Sequence, residues 1–170
     1  MGTIVVGTDG SETARRALDS ALQLAHELGD SLVLVTAWRE LHGDFGLPLD
    51  TLVPSLELAD IEREWAERTV ADAASTAEEA GVHAVTVCER GDPAATICQA
   101  ARTHGARLIV VGAHGWGPIE GLLFGSVSRG VLGSAPCPVL VIPESWVGRD
   151  ADQRRRNSSS AIGNAAASTA

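Results

Sequence analysis

Small and hydroxyl-bearing residues follow several short apolar runs of this sequence, and their types suit the binding of an anion. Glycine lets the backbone approach a ligand closely, and serine at the start of a helix adds hydroxyl groups to free backbone N–H groups. Taken singly, each glycine is better explained as a turn, but the spaced set indicates a phosphate cradle built without lysine. The residues of this set are Thr8, Asp9, Gly112, His114, Gly115, Gly125, Ser126, Val127 and Ser128.

Two of these residues have an alternative role that the sequence leaves open. Asp9 could cap the first helix, with Glu12 three residues later as its partner in a capping box, and it could bind a ligand as well. His114 could be a solvated loop histidine, although its place among the glycines favours a binding role. No serine–histidine–acid arrangement is visible, so no residue is assigned to catalysis.

The composition argues against several classes of function. The chain has 170 residues and a net charge of −9, and its 13 basic residues are all arginines, which excludes a P-loop lysine and Schiff-base chemistry. The acidic balance argues against a nucleic-acid partner. Cysteines without a CxxC pair and histidines without metal-ligand spacing predict no disulfide scaffold and no zinc site, and they favour a reducing cytoplasm. No apolar run is long enough to span a membrane, and the first residues resemble a strand rather than a signal peptide.

Short β-branched runs alternate with helical patterns through most of the chain. Several runs are apolar at consecutive positions, which suits strands that are buried on both faces of a parallel sheet. The predicted strands are Thr3–Val6, Ser31–Val35, Val82–Val87, Leu108–Val111 and Pro138–Ile142. Helix-length connections between them predict an α/β fold, in which an open parallel sheet has helices on both faces. Ligands of such sheets bind at the carboxyl ends of the strands, where the candidate residues are expected.

Four helices are predicted between the strands. They run from Ala14 to Leu28, from Leu58 to Ala80, from Pro93 to about Gly105, and from about Ser126 to Leu132. In the second helix, the apolar spacing places Trp65 on the core face. The third helix has a strong start, because Asp92 is an N-cap acceptor and Pro93 suits the first helical position.

The composition changes once, near Gly148. Residues 148–170 consist mainly of Arg, Asp, Ser, Asn, Gly and Ala, which cannot bury enough apolar surface to offset the entropy of ordering. We therefore predict a domain of residues 1–147 followed by a disordered tail. Within the domain, Trp38–Pro54 is a long loop of the kind that often has a function.

The glycine spacing resembles the signature of a known family. Gly112-x-x-Gly115, nine residues and then Gly125-Ser126 match the G-x2-G-x9-G-[S/T] motif of the nucleotide-binding branch of universal stress proteins. The segments Val6–Ser11 and Ala135–Val141 agree as well, and the resemblance spans about residues 2–143. It implies a five-stranded parallel sheet of order 3-2-1-4-5 with ATP bound at its carboxyl edge.

The resemblance also implies a role for each matching residue. Asp9, with Thr8 beside it, corresponds to an aspartate near the ribose and adenine, and Ala37 and Val111 would line the adenine pocket. The loop that passes the ribose and phosphates corresponds to Gly112, His114 and Gly115. The phosphate-binding helix start corresponds to Gly125, Ser126, Val127 and Ser128.

The sequence departs from the family pattern after the second glycine. Many members have a basic residue there, whereas this chain has Trp116 followed by Gly117 and Pro118. The phosphate charge would therefore be met mainly by backbone N–H groups and serine hydroxyls, with Mg²⁺ as an open option beside ATP.

These observations favour an ATP-binding regulatory protein of the stress response over a dedicated enzyme, because no catalytic base or water-positioning residue is apparent. Two alternatives stay open: a weak ATPase or nucleotidyl-transfer enzyme on the same scaffold, and a dimeric interaction protein that holds no nucleotide. The resemblance and an apolar sheet edge predict a cytoplasmic homodimer joined through the last strand, Pro138 to Ile142. Neither a nucleic acid nor a membrane is an expected partner.

Overall fold

Strands and helices alternate along the chain in the computed structural model, which describes residues 1–39, 55–115 and 124–146. The strands are β1 (Thr3–Gly7), β2 (Ser31–Trp38), β3 (Ala84–Arg90), β4 (Leu108–Gly112) and β5 (Val139–Ile142). The helices are α1 (Glu12–Leu28), α2 (Ser55–Glu79), α3 (Pro93–Thr103) and α4 (Ser126–Ser134). All neighbouring strands are parallel and their order is β3-β2-β1-β4-β5, which confirms the fold class and the implied strand order.

Alternate residues of each strand face opposite sides of the sheet and form two separate cores. On one side, Ile4 and Leu32 pack with residues of α1 and α2. On the other side, Val5 and Val33 pack with residues of α3 and α4. Val5 lies opposite Val33 in β2 and opposite Ile109 in β4, so each core continues across the strands. Burial on both faces explains why the strands are apolar at consecutive positions.

The start of α1 corrects one alternative from the sequence. Ser11 is the N-cap residue, and its Oγ accepts a hydrogen bond from the Ala14 N–H at 3.3 Å. The alternative in which Asp9 caps this helix is wrong, because Asp9 lies two residues before the cap position. The carboxylate of Asp9 accepts a hydrogen bond from the Ser11 N–H instead. The cap predicted for α3 is confirmed, since Asp92 accepts a hydrogen bond from the N–H three residues later.

The third strand begins and ends later in the chain than predicted. Its pairing with β2 runs from Ala84, opposite Leu32, to Arg90, opposite Trp38. The backbone pairing at this edge of the sheet continues along residues whose polar side chains are exposed, such as Glu89 and Arg90. The apolar pattern therefore does not show where the strand ends. Val82 is buried in the connection before the strand rather than in the strand itself.

The prediction that Trp65 faces the core is also wrong, because its side chain is 42% exposed. The buried residues of α2 include Ala66, Val70, Ala73 and Ala77, which recur at helical spacing. At about 100° per residue, Trp65 lies roughly 80° around the helix from Ala73. The apolar residues of this helix therefore occupy a wider arc than the core covers.

A buried carboxylate joins three segments at the amino edge of the sheet. The Asp30 side chain is 1% exposed and accepts hydrogen bonds from the Gly2 N–H at 2.5 Å and from Arg107 Nη1 at 3.1 Å. Burial opposes ionisation, but the Gly2 N–H and the Arg107 guanidinium outweigh it and hold the pKa of Asp30 below its ordinary value. Asp30 thus fixes the starts of β1, β2 and β4 relative to one another.

Two predictions concern segments outside the described residues. Most of the predicted long loop falls in residues 40–54, and the predicted tail falls in residues 147–170. None of the helices described here is both long enough and apolar enough to cross a membrane.

Candidate functional site

A cavity of about 350 Å³ lies at the carboxyl ends of β1 and β4. The chain runs from β1 to β2 on one side and reaches β4 on the other, so the strand order reverses between these two strands. Open parallel sheets bind their ligands at this point. The cavity brings together every site residue named from the sequence: Thr8, Asp9, Ala37, Val111, Gly112, His114, Gly115, Gly125, Ser126, Val127 and Ser128.

One wall of the cavity is apolar and is shared by the sheet and α3. Ala37 and Val111 come from β2 and β4, and Pro93 and Ile97 come from the first turns of α3. A Cβ built on Gly7 would lie 2.5 Å from Ile97 Cδ1, so a larger residue there would push this wall away from β1. Glycine at the end of β1 therefore allows the apolar wall to pack closely.

The carboxylate of Asp9 also lines the cavity. Its Oδ1 atom accepts a hydrogen bond from the Ser11 N–H at 3.0 Å, which holds the side chain in a tight turn before α1. A Cβ built on Gly115 would overlap Asp9 Oδ2, so the carboxylate rests directly against the backbone of the second glycine of the motif. Glycine is therefore needed at position 115 so that the Asp9 carboxylate can lie against the backbone. It is not needed for a positive φ angle, which Gly115 does not adopt.

Ala113 connects the two halves of the glycine motif. Its carbonyl oxygen accepts hydrogen bonds from the Gly125 N–H at 2.7 Å and from Ser128 Oγ at 2.9 Å. Its N–H donates to the carbonyl of Ile142, the last residue of β5, at 2.8 Å. These bonds explain why residues so distant in the chain meet at one side of the cavity.

The first turn of α4 divides into an exposed part and a buried part. Gly125 is the N-cap residue and has no side chain to cap the helix, so the first N–H groups are not met by a cap side chain. Ser126 is exposed beside them. Ser128 is 2% exposed and its hydroxyl bonds to the carbonyls of Ala113 and Gly125, so its hydroxyl holds the loop rather than facing the cavity.

The titratable residues that line the cavity within the described part of the chain are Asp9 and His114. Across the described residues, no group of three His, Cys, Asp or Glu side chains could hold a metal ion. The cysteines lie apart from this cavity and are not disulfide-bonded, and burial raises the pKa of Cys88, Cys98 and Cys137, which disfavours the reactive thiolate.

Sequence reasoning missed Pro93 and Ile97 as cavity residues. The sequence places both residues in the third helix, with Pro93 as its first residue, and the structure confirms this helix. Their spacing shows only that both lie near the start of the same helix. It does not indicate against which strands that helix packs. Packing of α3 against β1 and β2 brings them to the site.

The universal stress protein family model matches residues 1–143 of this chain. Universal stress protein Rv1996 of Mycobacterium tuberculosis is 36% identical over 140 residues, which cover 81% of this chain and 43% of that protein. Universal stress protein YxiE of Bacillus subtilis is 33% identical over 143 residues, which cover 82% of this chain and 97% of that protein. The chain thus spans less than half the length of the mycobacterial relative and nearly all of the Bacillus one.

Solved structures of the same family share the fold. UspA from Lactobacillus plantarum superposes with a TM-score of 0.69 at 27% identity, covering 83% of this chain and 97% of that one. A universal stress protein in complex with cAMP has a TM-score of 0.59 at 28% identity, covering 83% and 95%. One from Archaeoglobus fulgidus in complex with dAMP has a TM-score of 0.59 at 26% identity, covering 84% and 97%. Together with the match over residues 1–143, these similarities establish that the chain belongs to the universal stress protein family.

Proposed function

We propose that this chain is an adenine-nucleotide-binding regulatory protein of the stress response and that its ligand is ATP. The observation that carries the proposal is the cavity at the strand-order reversal, where an apolar wall faces two glycine segments joined through Ala113. Its volume of about 350 Å³ lies within the range of small-molecule sites. The family relatives solved with cAMP and dAMP support an adenine nucleotide as the ligand class.

The apolar wall would receive the adenine base. Ala37 and Val111 lie on the sheet side of this wall, and Ile97 covers it from α3. A flat aromatic base gains from contact with such surfaces through burial of its faces. Asp9, at the carboxyl end of β1, is in place to accept hydrogen bonds from ribose hydroxyls, since an ionised carboxylate is purely an acceptor.

The start of α4 would receive the phosphates. Its first N–H groups and the exposed Ser126 hydroxyl provide donors, and the helix dipole places partial positive charge at the same end. Gly115 and Gly125 line the cavity on this side. Mg²⁺ bound together with ATP would further neutralise the charge of the phosphates.

A regulatory role fits these groups better than a catalytic one. The proposed contacts bind and orient a nucleotide, and the Asp9 carboxylate accepts the Ser11 N–H in a turn. Slow ATP hydrolysis on the same scaffold is the second candidate. A turnover assay with purified protein separates the two, because a binder retains ATP unchanged over hours.

We also propose that the protein is a homodimer of the cytoplasm, joined through β5. β5 is an edge strand, and Val139, Leu140 and Val141 are only partly buried in the single chain. Pro138 lies just before the strand and has no N–H to donate, so pairing would use the short stretch from Val139 onward. A partner strand would satisfy the free edge and cover these side chains.

The experiment that tests the ligand is direct. Protein purified from cells without added nucleotide is denatured, and the released small molecules are identified by chromatography and mass spectrometry. Calorimetry on stripped protein then compares ATP, AMP and cAMP with GTP as the control. We expect ATP in the extract and a preference for adenine. A stripped protein that binds none of the adenine nucleotides would contradict the proposal.

A further inference from the structure

Buried hydroxyl groups hold the carbonyls of the loops around the cavity. Thr36 Oγ1 donates to the Thr8 carbonyl at 3.0 Å, and Ser128 Oγ donates to the Ala113 carbonyl at 2.9 Å. Thr13 Oγ1 donates to the carbonyl of His114. All three hydroxyl residues are buried. The shape of the loops at this site therefore depends on the hydroxyl groups of three buried residues.

Thr13 is packed closely against the glycine motif. It lies in the first turn of α1 and is 4% exposed. A Cβ built on Gly112 would lie 3.0 Å from Thr13 Cβ, so the helix packs directly on the first glycine of the motif. Through its hydroxyl, the same residue bonds to His114, two positions further along that loop.

The hydroxyl protons near Thr13 can be assigned from the acceptors around them. Ser11 Oγ accepts a hydrogen bond from the Ala14 N–H and lies 3.2 Å from Thr13 Oγ1. Thr13 has one hydroxyl proton and gives it to the His114 carbonyl, so Ser11 must donate to Thr13. A directed chain of hydrogen bonds thus runs from the α1 backbone through both hydroxyls to the loop, and such chains strengthen their members.

This chain orients the peptide group between His114 and Gly115. In a trans peptide the C=O and N–H point in opposite directions, and the described residues contain no cis peptide bond. With the His114 carbonyl turned toward Thr13, the Gly115 N–H points away from α1. The neighbouring Ala113 carbonyl is turned toward α4, so successive carbonyls of the loop are held by different helices.

We propose that Thr13 is a positioning residue whose hydroxyl holds the Gly112–Gly115 loop in the shape that receives the nucleotide. This role rests on the proposed function for its effect on affinity, but its effect on the loop can be measured without any ligand. Thr13 acts through the loop and need not touch the nucleotide itself.

The test replaces Thr13 by valine, which keeps the shape of the side chain and removes the hydroxyl. We expect ATP affinity, measured by calorimetry, to fall about tenfold, because binding must then restore the loop shape that the hydrogen bond to the His114 carbonyl no longer holds. Thr13→Ser keeps the hydroxyl and should bind within about twofold of wild type. Thr96→Val is the matched control, because Thr96 is a buried threonine whose hydroxyl donates to the carbonyl of Asp92, the N-cap residue of its own helix α3.

A second measurement separates this inference from the proposed function. Amide hydrogen exchange without nucleotide reports on this loop through Ala113, whose N–H donates to the Ile142 carbonyl. Exchange at Ala113 should be about tenfold faster in Thr13→Val and unchanged in Thr13→Ser and Thr96→Val. If wild type binds no nucleotide, the proposed function fails and exchange alone decides the role of Thr13. Unchanged exchange at Ala113 in the valine variant, or equal loss of affinity in Thr96→Val, would overturn the inference. Should Thr13→Val not fold, Thr13→Ala removes the same hydroxyl and is judged by the same criteria.

Discussion

Replacing Gly115 by alanine tests how closely the glycine loop and Asp9 fit around the cavity. A Cβ at this position would overlap Asp9 Oδ2 and stand 3.4 Å from Asp9 Cγ. The obstructing atoms belong to the tip of a side chain, so the carboxylate can rotate away while the backbone stays in place. We therefore expect the fold to tolerate the change and the ligand-facing surface to be altered.

The magnitude follows from the hydrogen bond that the displaced carboxylate would no longer make to the nucleotide. In the proposed complex Asp9 accepts from a ribose hydroxyl, and a hydrogen bond to a charged group contributes about 1.5–3 kcal/mol. Loss of binding free energy on this scale weakens ATP binding about 10- to 150-fold. The free energy of unfolding should change much less, because Asp9 is partly exposed and water replaces its contact with the Ser11 N–H.

Calorimetry with ATP measures the affinity, and urea unfolding measures the stability of the same preparations. The matched control is Gly133→Ala, since a Cβ at Gly133 in α4 meets no atom within 4 Å. This control should keep its affinity and gain up to about 1 kcal/mol of stability from the helical alanine. If Gly115→Ala binds ATP as tightly as wild type, the carboxylate does not act from the place described, and the reasoning is refuted.

Three further predictions concern the dimer edge, the amino edge of the sheet and the tail. Replacing Leu140 by arginine should place like charges across a two-fold axis and give monomers in light scattering, whereas a wild-type mass near 17.6 kDa at every concentration would contradict the dimer. Asp30→Asn should lower the melting temperature at pH 7. The pKa of Asp30 is lowered in the folded state, so the carboxylate stabilises the fold at pH values above its unfolded pKa of about 3.9. This stabilisation is lost as the pH falls through the folded-state pKa. A gap between the two melting temperatures that persists at low pH would count against that assignment. A chain that ends at Val147 should melt within about 3 °C of the full chain, and a larger drop in calorimetric scans would show that the tail docks.

The fold could be predicted from the sequence because each signal was strong and local. Strands buried on both faces, such as Leu32–Val35, are apolar at every position, and the cap at Asp92 with Pro93 marks a helix start by chemistry alone. Edge positions carry weaker signals. The end of β3 depends on backbone pairing with β2, and the exposure of Trp65 depends on how much of α2 the sheet covers.

The candidate site could be predicted in its backbone segments but not in its supporting contacts. The close approach between Gly115 and Asp9 requires glycine at position 115. A requirement of this kind leaves spaced glycines at the strand ends, and these can be recognised in the sequence. The hydrogen bond from Thr13 to His114 joins residues 101 positions apart, and neither residue type predicts it. Such contacts arise from the packing of α1 on β4, which no local pattern encodes.

Ala113 gives the cavity and the sheet edge a common element, since its N–H is held by the end of β5 and its carbonyl by the start of α4. A ligand at α4 and a second copy paired with β5 would each contact an element that is bonded to Ala113, so any coupling between their binding free energies has a short path through this residue. Thermodynamic linkage makes such a coupling identical in both directions. If nucleotide at both cavities tightened dimerisation by about tenfold, each cavity of the dimer would bind nucleotide about threefold more tightly than the monomer does.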